Sequence, residues 1–173
     1  MSIYVPVKTA LQSSITSVLS EIGYENTQVI HSHQNGLEPT NTYCIVNILG
    51  YEQKGGRDEA SFIEPSTDIL ESVVHYGVRT QLSFVGLDSE QVGADFRHSL
   101  INNRRCFEIF QRANLGILLR GDLRRIPQKR ETQWVAAVNM DVDFSFAVFT
   151  RQSYDWIEYI TIDGEVIRIW NDE

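Results

Sequence analysis

The sequence is short of several things, and each shortage closes off a class of protein. Among 173 residues there are two cysteines, Cys44 and Cys106, too few for a disulfide scaffold. Both thiols are expected to fill core positions in a reducing, intracellular setting. No apolar run approaches the roughly 18–20 residues that a membrane-spanning helix needs. The opening Met-Ser-Ile-Tyr-Val-Pro-Val-Lys lacks a charged segment followed by an apolar one, so no secretory leader is expected. Positive charge is scarce. Fifteen Lys+Arg face 23 Asp+Glu, for a net charge of −8, which argues against general nucleic-acid binding. The chain has no phosphate loop of the Gly-Lys-Ser/Thr type, no Gly-x-Gly-x-x-Gly fingerprint and no Gly-x-Ser-x-Gly elbow. It has no internal repeat and no low-complexity stretch. What it does have is 42% hydrophobic and 10% aromatic residues, enough to bury a core in a single domain.

The patterning is mixed. Val7, Leu11, Ile15, Val18, Leu19 and Ile22 recur at spacings of three and four, which predicts an amphipathic helix. Pro6 stands near its start and Gly23 at its end. A strand is expected over 43–51, then a polar, turn-rich arm or hairpin over about 52–70. Val74, Tyr76, Val78, Thr80, Leu82 and Phe84 alternate with polar residues up to Gly86, the period of a half-buried strand. Asp88 or Ser89 then caps a helix, with Gln91 placed for a capping box and Val92, Phe96 and Leu100 on the buried face. A second helical piece over 104–113 should turn Phe107, Phe110 and Ala113 inward. Ile117-Leu118-Leu119 reads as extended. The longest alternation runs Trp134, Ala136, Val138, Met140, Val142, Phe144, Phe146, Val148 and predicts a half-buried antiparallel strand. Asp163-Gly164 between two alternating runs predicts a terminal hairpin. The order predicts one α+β domain over 1–173, a mixed and mainly antiparallel sheet with helices on one face.

Candidates for chemistry are few, and each has a plain structural reading. His31 and His33 would share a strand face, but four clear metal ligands do not gather around them. His75 and His98 read as surface residues. Cys106 beside Arg104 and Arg105 lacks a visible base. Asp141 and Asp143 point the same way along one strand, about 7 Å apart. They suit a cation site, a solvated face or a subunit contact. No enzyme, cofactor or metal is expected. The stronger signal is charge segregation. Arg97, Arg104, Arg105, Arg112, Arg120, Arg124, Arg125, Lys129 and Arg130 are opposed within their segment only by Glu108 and Asp122. A basic middle between acidic ends suits head-to-tail association of copies. A solvated basic face is the competing reading.

The block over 74–162 resembles the tail terminator (neck terminator) proteins of contractile and other long-tailed bacteriophages. The resemblance rests on four features in order: the strand Val78-Arg79-Thr80-Gln81-Leu82-Ser83-Phe84-Val85-Gly86, the helix over 89–102, an apolar-then-basic stretch ending at Pro127, and a Trp134-led strand with alternating acids followed by Trp156-Ile157-Glu158. It implies a structural virion protein with a terminator-like α+β fold. Its copies would form a hexameric ring that caps the tail tube, stops polymerisation and joins the head connector or stopper. In contractile tails the ring would also touch the sheath, and DNA would pass through it without specific binding. The setting implied is the virion neck, assembled in the host cytoplasm, with no membrane contact. The expected subunit and partner contacts are Arg124, Arg125, Lys129 and Arg130 against Asp141, Asp143, Asp155 and Glu158. The alternatives are a stopper or adaptor, or a small ligand-binding or enzymatic α+β domain using His75, His98 or the Asp141/Asp143 pair.

Overall fold

The first helix, α1 (Tyr4–Glu21), forms where the three-and-four spacing places it. Val7, Leu11, Ile15, Val18 and Leu19 are all buried. Pro6 falls in the first turn, where its missing N–H costs no intrahelical bond. The helix stops at Gly23, whose φ of +90° is one that a side chain disfavours. There the Gly23 N–H donates to the Ser20 carbonyl and the Tyr24 N–H to that of Leu19, the paired bonds of a Schellman stop.

The computed structural model describes residues 4–33, 38–54, 60–64, 69–130, 133–153, 159–162 and 165–168. After α1 come β1 (Gln28–His31), β2 (Tyr43–Lys54), β3 (Ala60–Glu64) and β4 (Ile69–Val85). Two helices follow, α2 (Ser89–Asn102) and α3 (Arg104–Arg112). The chain then adds β5 (Leu115–Arg120), β6 (Arg124–Arg125), β7 (Gln128–Arg130), β8 (Gln133–Val135), β9 (Ala137–Ser153), β10 (Tyr159–Ile162) and β11 (Glu165–Arg168). It divides into two units, one of residues 1–54 and 75–148, the other of 55–74 and 149–173.

The larger unit holds the sheet order β1-β2-β4-β9-β5, with β6 also paired to β9. β1 and β2 are parallel, while β2/β4, β5/β9 and β6/β9 are antiparallel. One sheet face carries Cys44 and Val46 from β2, Leu82 and Phe84 from β4, and Met140, Val142 and Phe144 from β9. These form one core with the inward faces of all three helices. Phe84 meets Phe96 of α2 at 5.5 Å between ring centroids, and Phe110 of α3 meets Phe144 at 5.3 Å. The buried Thr80 hydroxyl donates to the Val142 carbonyl at 2.7 Å, so this polar group within the apolar face of β4 is satisfied. The architecture is the α+β arrangement that the sequence predicts.

In the smaller unit β3 runs antiparallel to the start of β4, from Ala60↔Val73 to Glu64↔Ile69. β3 lies within the expected arm at 52–70, and its partner residues in β4 run three positions past it. β10 and β11 form a separate two-stranded antiparallel sheet in which Ile162 faces Glu165. The two runs pair as the alternation predicts, while Asp163 and Gly164 lie outside the described residues.

Three local expectations are corrected. Trp134 is not on the buried face: it is 70% exposed. The strand is interrupted at Ala136, whose carbonyl accepts the Gly86 N–H. Upstream of the break, β8 pairs with β7 in a sheet of its own, so the alternation changes partner and phase there. Second, Asp88 makes no side-chain cap on α2, and Gln91 reaches Asp95 instead of closing a capping box. Asp88 has φ −98° and ψ 15°, away from the extended geometry that aims a capping side chain, and its N–H donates to Thr42 Oγ1. Third, Cys106 and Phe110 make the buried stripe of α3. Phe107 sits at the margin under the Arg120 guanidinium, 5.3 Å from its ring centroid.

Candidate functional site

β6 lays Arg124 opposite Asn139 and Arg125 opposite Val138 of β9. On the helix-free face the Arg124 guanidinium binds the Asp141 carboxylate, whose other oxygen accepts from Gln81 Nε2 at 3.2 Å. Arg125 binds Glu90 in the first turn of α2. Three more arginines of the basic segment also have partners within the chain. Arg97 Nε donates to the Gly121 carbonyl and its Nη2 to Asp122, Arg104 pairs with Glu108, and Arg105 pairs with Glu21. Each pair has at least one well-exposed partner, so solvent screening leaves each with little to add to stability. The segment that looks uniformly basic in sequence is therefore studded with acids from elsewhere in the fold.

The structure joins Arg124 to Asp141, two of the proposed contact residues. Lys129 stands exposed and Asp143 half-buried, facing Leu119 of β5 in the ladder, neither with an opposite charge beside it among the described residues. Arg112 and Arg120 likewise have no acidic partner there, and the Arg120 Nε is a buried donor without an acceptor. The Arg130 side chain, Asp155 and Glu158 lie outside the described residues.

A feature that the sequence reading passed over is the β5 edge. Leu118 is 59% and Leu119 57% exposed. A register shift between Ile117 and Leu119 leaves Leu118 as a bulge. The signal was present in the apolar run Ile117-Leu118-Leu119, but only the topology reveals that this strand ends the sheet.

Several of the groups that enzymatic readings would need are held in structural contacts. His31 is buried at the end of β1, and its Nε2–H donates to the Lys8 carbonyl at 3.1 Å. Burial holds its pKa below the ordinary histidine value, with the Lys8 charge adding to the effect. His33 sits in a turn at φ +61°, so the two do not share a strand face as expected. Burial pushes both the Cys44 and Cys106 thiols up, away from thiolate chemistry. An open cleft of about 460 Å³ is lined by Asp95, His98, Asn102 and Arg104. His98 hydrogen-bonds Asn102, while Asp95 accepts from Tyr24 and Gln91. The Tyr24 hydroxyl is pushed up to about 12, chiefly because Asp95 holds its proton at 2.6 Å. Among the described residues, no three His, Cys, Asp or Glu side chains gather as a metal site, and no helix is long and apolar enough to cross a membrane.

A family model described as phage neck terminator protein matches residues 6–169 of this chain. Among solved structures, the fold is similar to the sheath/tube terminator of an extracellular contractile injection system, PVC, in its extended state. The TM-score is 0.51 at 11% identity, and the alignment covers 99% of this chain and 66% of the other. At that identity the likeness is one of fold, and this chain spans just under two thirds of the other's length. No curated protein matches the chain.

Proposed function

Because this chain belongs to the phage neck terminator family, we propose that its copies close into a hexameric ring that caps the finished tail tube, stops its growth and presents the face that joins the head connector. The observation that carries this reading is the family match, which spans both structural units. The terminator-like fold supports it, and so does a surface on which, among the described residues, Arg112 and Lys129 stand exposed and Asp143 half-buried with no opposite charge beside them. Its work is mechanical: it ends one polymer and receives another. No bond is made or broken, and the buried thiols and the carbonyl-bound His31 serve packing. The tube protein and the connector are the partners proposed, with the sheath as a third in a contractile tail. The acidic balance suits a passage for DNA, since like charge opposes phosphate adhesion. The place of action proposed is the neck of the virion, reached by assembly in the host cytoplasm.

Subunit contacts are proposed to run from Arg124, Arg125, Lys129 and Arg130 on one copy to Asp143, Asp155 and Glu158 on the next, with Asp141 bridging its own Arg124 to that seam. Absolute mass by light scattering across a concentration series tests this directly. The wild-type chain is expected to reach a six-subunit species. The double substitution Arg124→Glu with Arg125→Glu should shift the midpoint of assembly at least tenfold, about 1.4 kcal/mol. Its melting temperature should change little, because the internal pairs it disrupts are exposed. A normal ring from the double variant would remove these residues from the interface. A stable dimer from the wild type would remove the ring.

A further inference from the structure

The two edges of the main sheet are finished differently. At the β1 edge, Gln12 of α1 donates through Nε2 to the Val29 carbonyl at 2.9 Å, and the Lys8 carbonyl takes the His31 Nε2–H. That edge is capped by the protein's own first helix. At the other end β5 pairs with β9 on one side, and among the described residues no strand lies on its other side. Its sequence, Leu115-Gly116-Ile117-Leu118-Leu119-Arg120, has a single charge, and two of its leucines are more than half exposed. Proteins usually blunt such edges, because unpaired N–H and C=O groups beside apolar side chains recruit another strand. Arg112 precedes this strand and Arg120 ends it, both without an acidic partner among the described residues.

The same chain carries a segment of opposite character. β10 and β11 are four-residue strands in a two-stranded sheet, and among the described residues neither pairs with a third strand. A lone hairpin of that length is marginal in water and gains stability by joining a larger sheet. In sequence it is acidic: Glu158 precedes Tyr159, Asp163 and Glu165 come between Ile162 and Val166, and Asp172 and Glu173 follow.

We infer that the open β5 edge receives the terminal hairpin of a second copy of this chain, extending the sheet across the subunit boundary. The apolar Leu118-Leu119 step takes the Tyr159–Ile162 strand, and Arg112 and Arg120, before and at the end of β5, take the acids beside it. The contact is head-to-tail, since the edge and the hairpin are different surfaces, so it repeats and closes a ring if the rotation between copies allows. This inference rests on the ring reading and specifies how the ring is joined.

Cysteine pairing tests it in the full chain. Leu118→Cys is combined in turn with Ile160→Cys, Thr161→Cys or Ile162→Cys and oxidised at a concentration where the chain is assembled. The native thiols are buried and serve as an internal background. At least one combination is expected to give a ladder of covalent oligomers that each single variant lacks. Separately, Leu118→Lys places a charge on the edge and should raise the concentration needed for assembly at least tenfold with an unchanged melting temperature. An assembled oligomer that yields no ladder, and that Leu118→Lys leaves intact, overturns the edge contact while the ring stands. A chain that stays monomeric even with tube ends present overturns both. A Leu118→Lys variant that fails to fold leaves the ladder as the deciding result.

Discussion

Phe144→Ala is expected to destabilise the fold by about 3–5 kcal/mol, the usual range for emptying a buried aromatic site. Phe144 is fully buried at the middle of β9, in the core shared with the helices. Its ring lies 5.3 Å from that of Phe110, so it is the bolt between the sheet and α3. The flanking β5 strand is tied to the same point through the Ile117↔Phe144 pair. Truncation leaves a cavity walled by strands on one side and a helix on the other, neither free to collapse into it. For a chain of this size the melting temperature should fall by roughly 10 °C, since each kcal/mol shifts it by about 2–4 °C. Thermal unfolding followed by circular dichroism measures the loss. A drop of under 2 °C would mean that the helical layer is not anchored through this ring.

Gly86→Ala is expected to cost about 2–4 kcal/mol, although it adds one methyl group. Gly86 ends β4 at φ +126°, a conformation that side chains rarely adopt. A β-carbon there would stand 2.8 Å from the Thr42 Cα and 2.7 Å from its Oγ1. Backbone strain of about 1–3 kcal/mol and overpacking of similar size therefore combine at one site. Gly23→Ala supplies the comparison. Gly23 also has a positive φ, +90°, but nothing lies within 4 Å of the added carbon. It should lose only about 1–2 kcal/mol of conformational preference. Equal losses from the two variants in chemical denaturation would contradict the crowding at Thr42.

How much of this was legible beforehand follows from which interactions are local. The α2 boundaries, Ser89–Asn102, agree with the sequence expectation because Gly86 stops a strand and Val92, Phe96 and Leu100 repeat every fourth residue. The alternation in β9 from Val138 onward and the pairing of β10 with β11 were readable for the same reason. Trp134 was misplaced because Ala136 and Ala137 carry no polar contrast, so a change of phase between them leaves no mark in the pattern. The site was less legible than the fold. Arg124 and Asp141 are 17 residues apart and meet only because β6 runs beside β9. Arg125 and Glu90 are further apart still, joined by the seating of α2. The exposure of Leu118 and Leu119 depends on β5 being the last strand, a property of the whole topology. No local pattern distinguishes an edge strand from a central one when both are apolar.

A chain that ends a tube must change how long the tube grows. The most direct measurement is the length of tail tubes assembled from the tube protein of the same particle, with and without this chain, by negative-stain electron microscopy. Shorter tubes are expected as the chain is added, each carrying a ring of density at one end and none elongating further when fresh tube protein is supplied. Tubes of unchanged length with bare ends, at concentrations where the chain is folded and assembled, would contradict it.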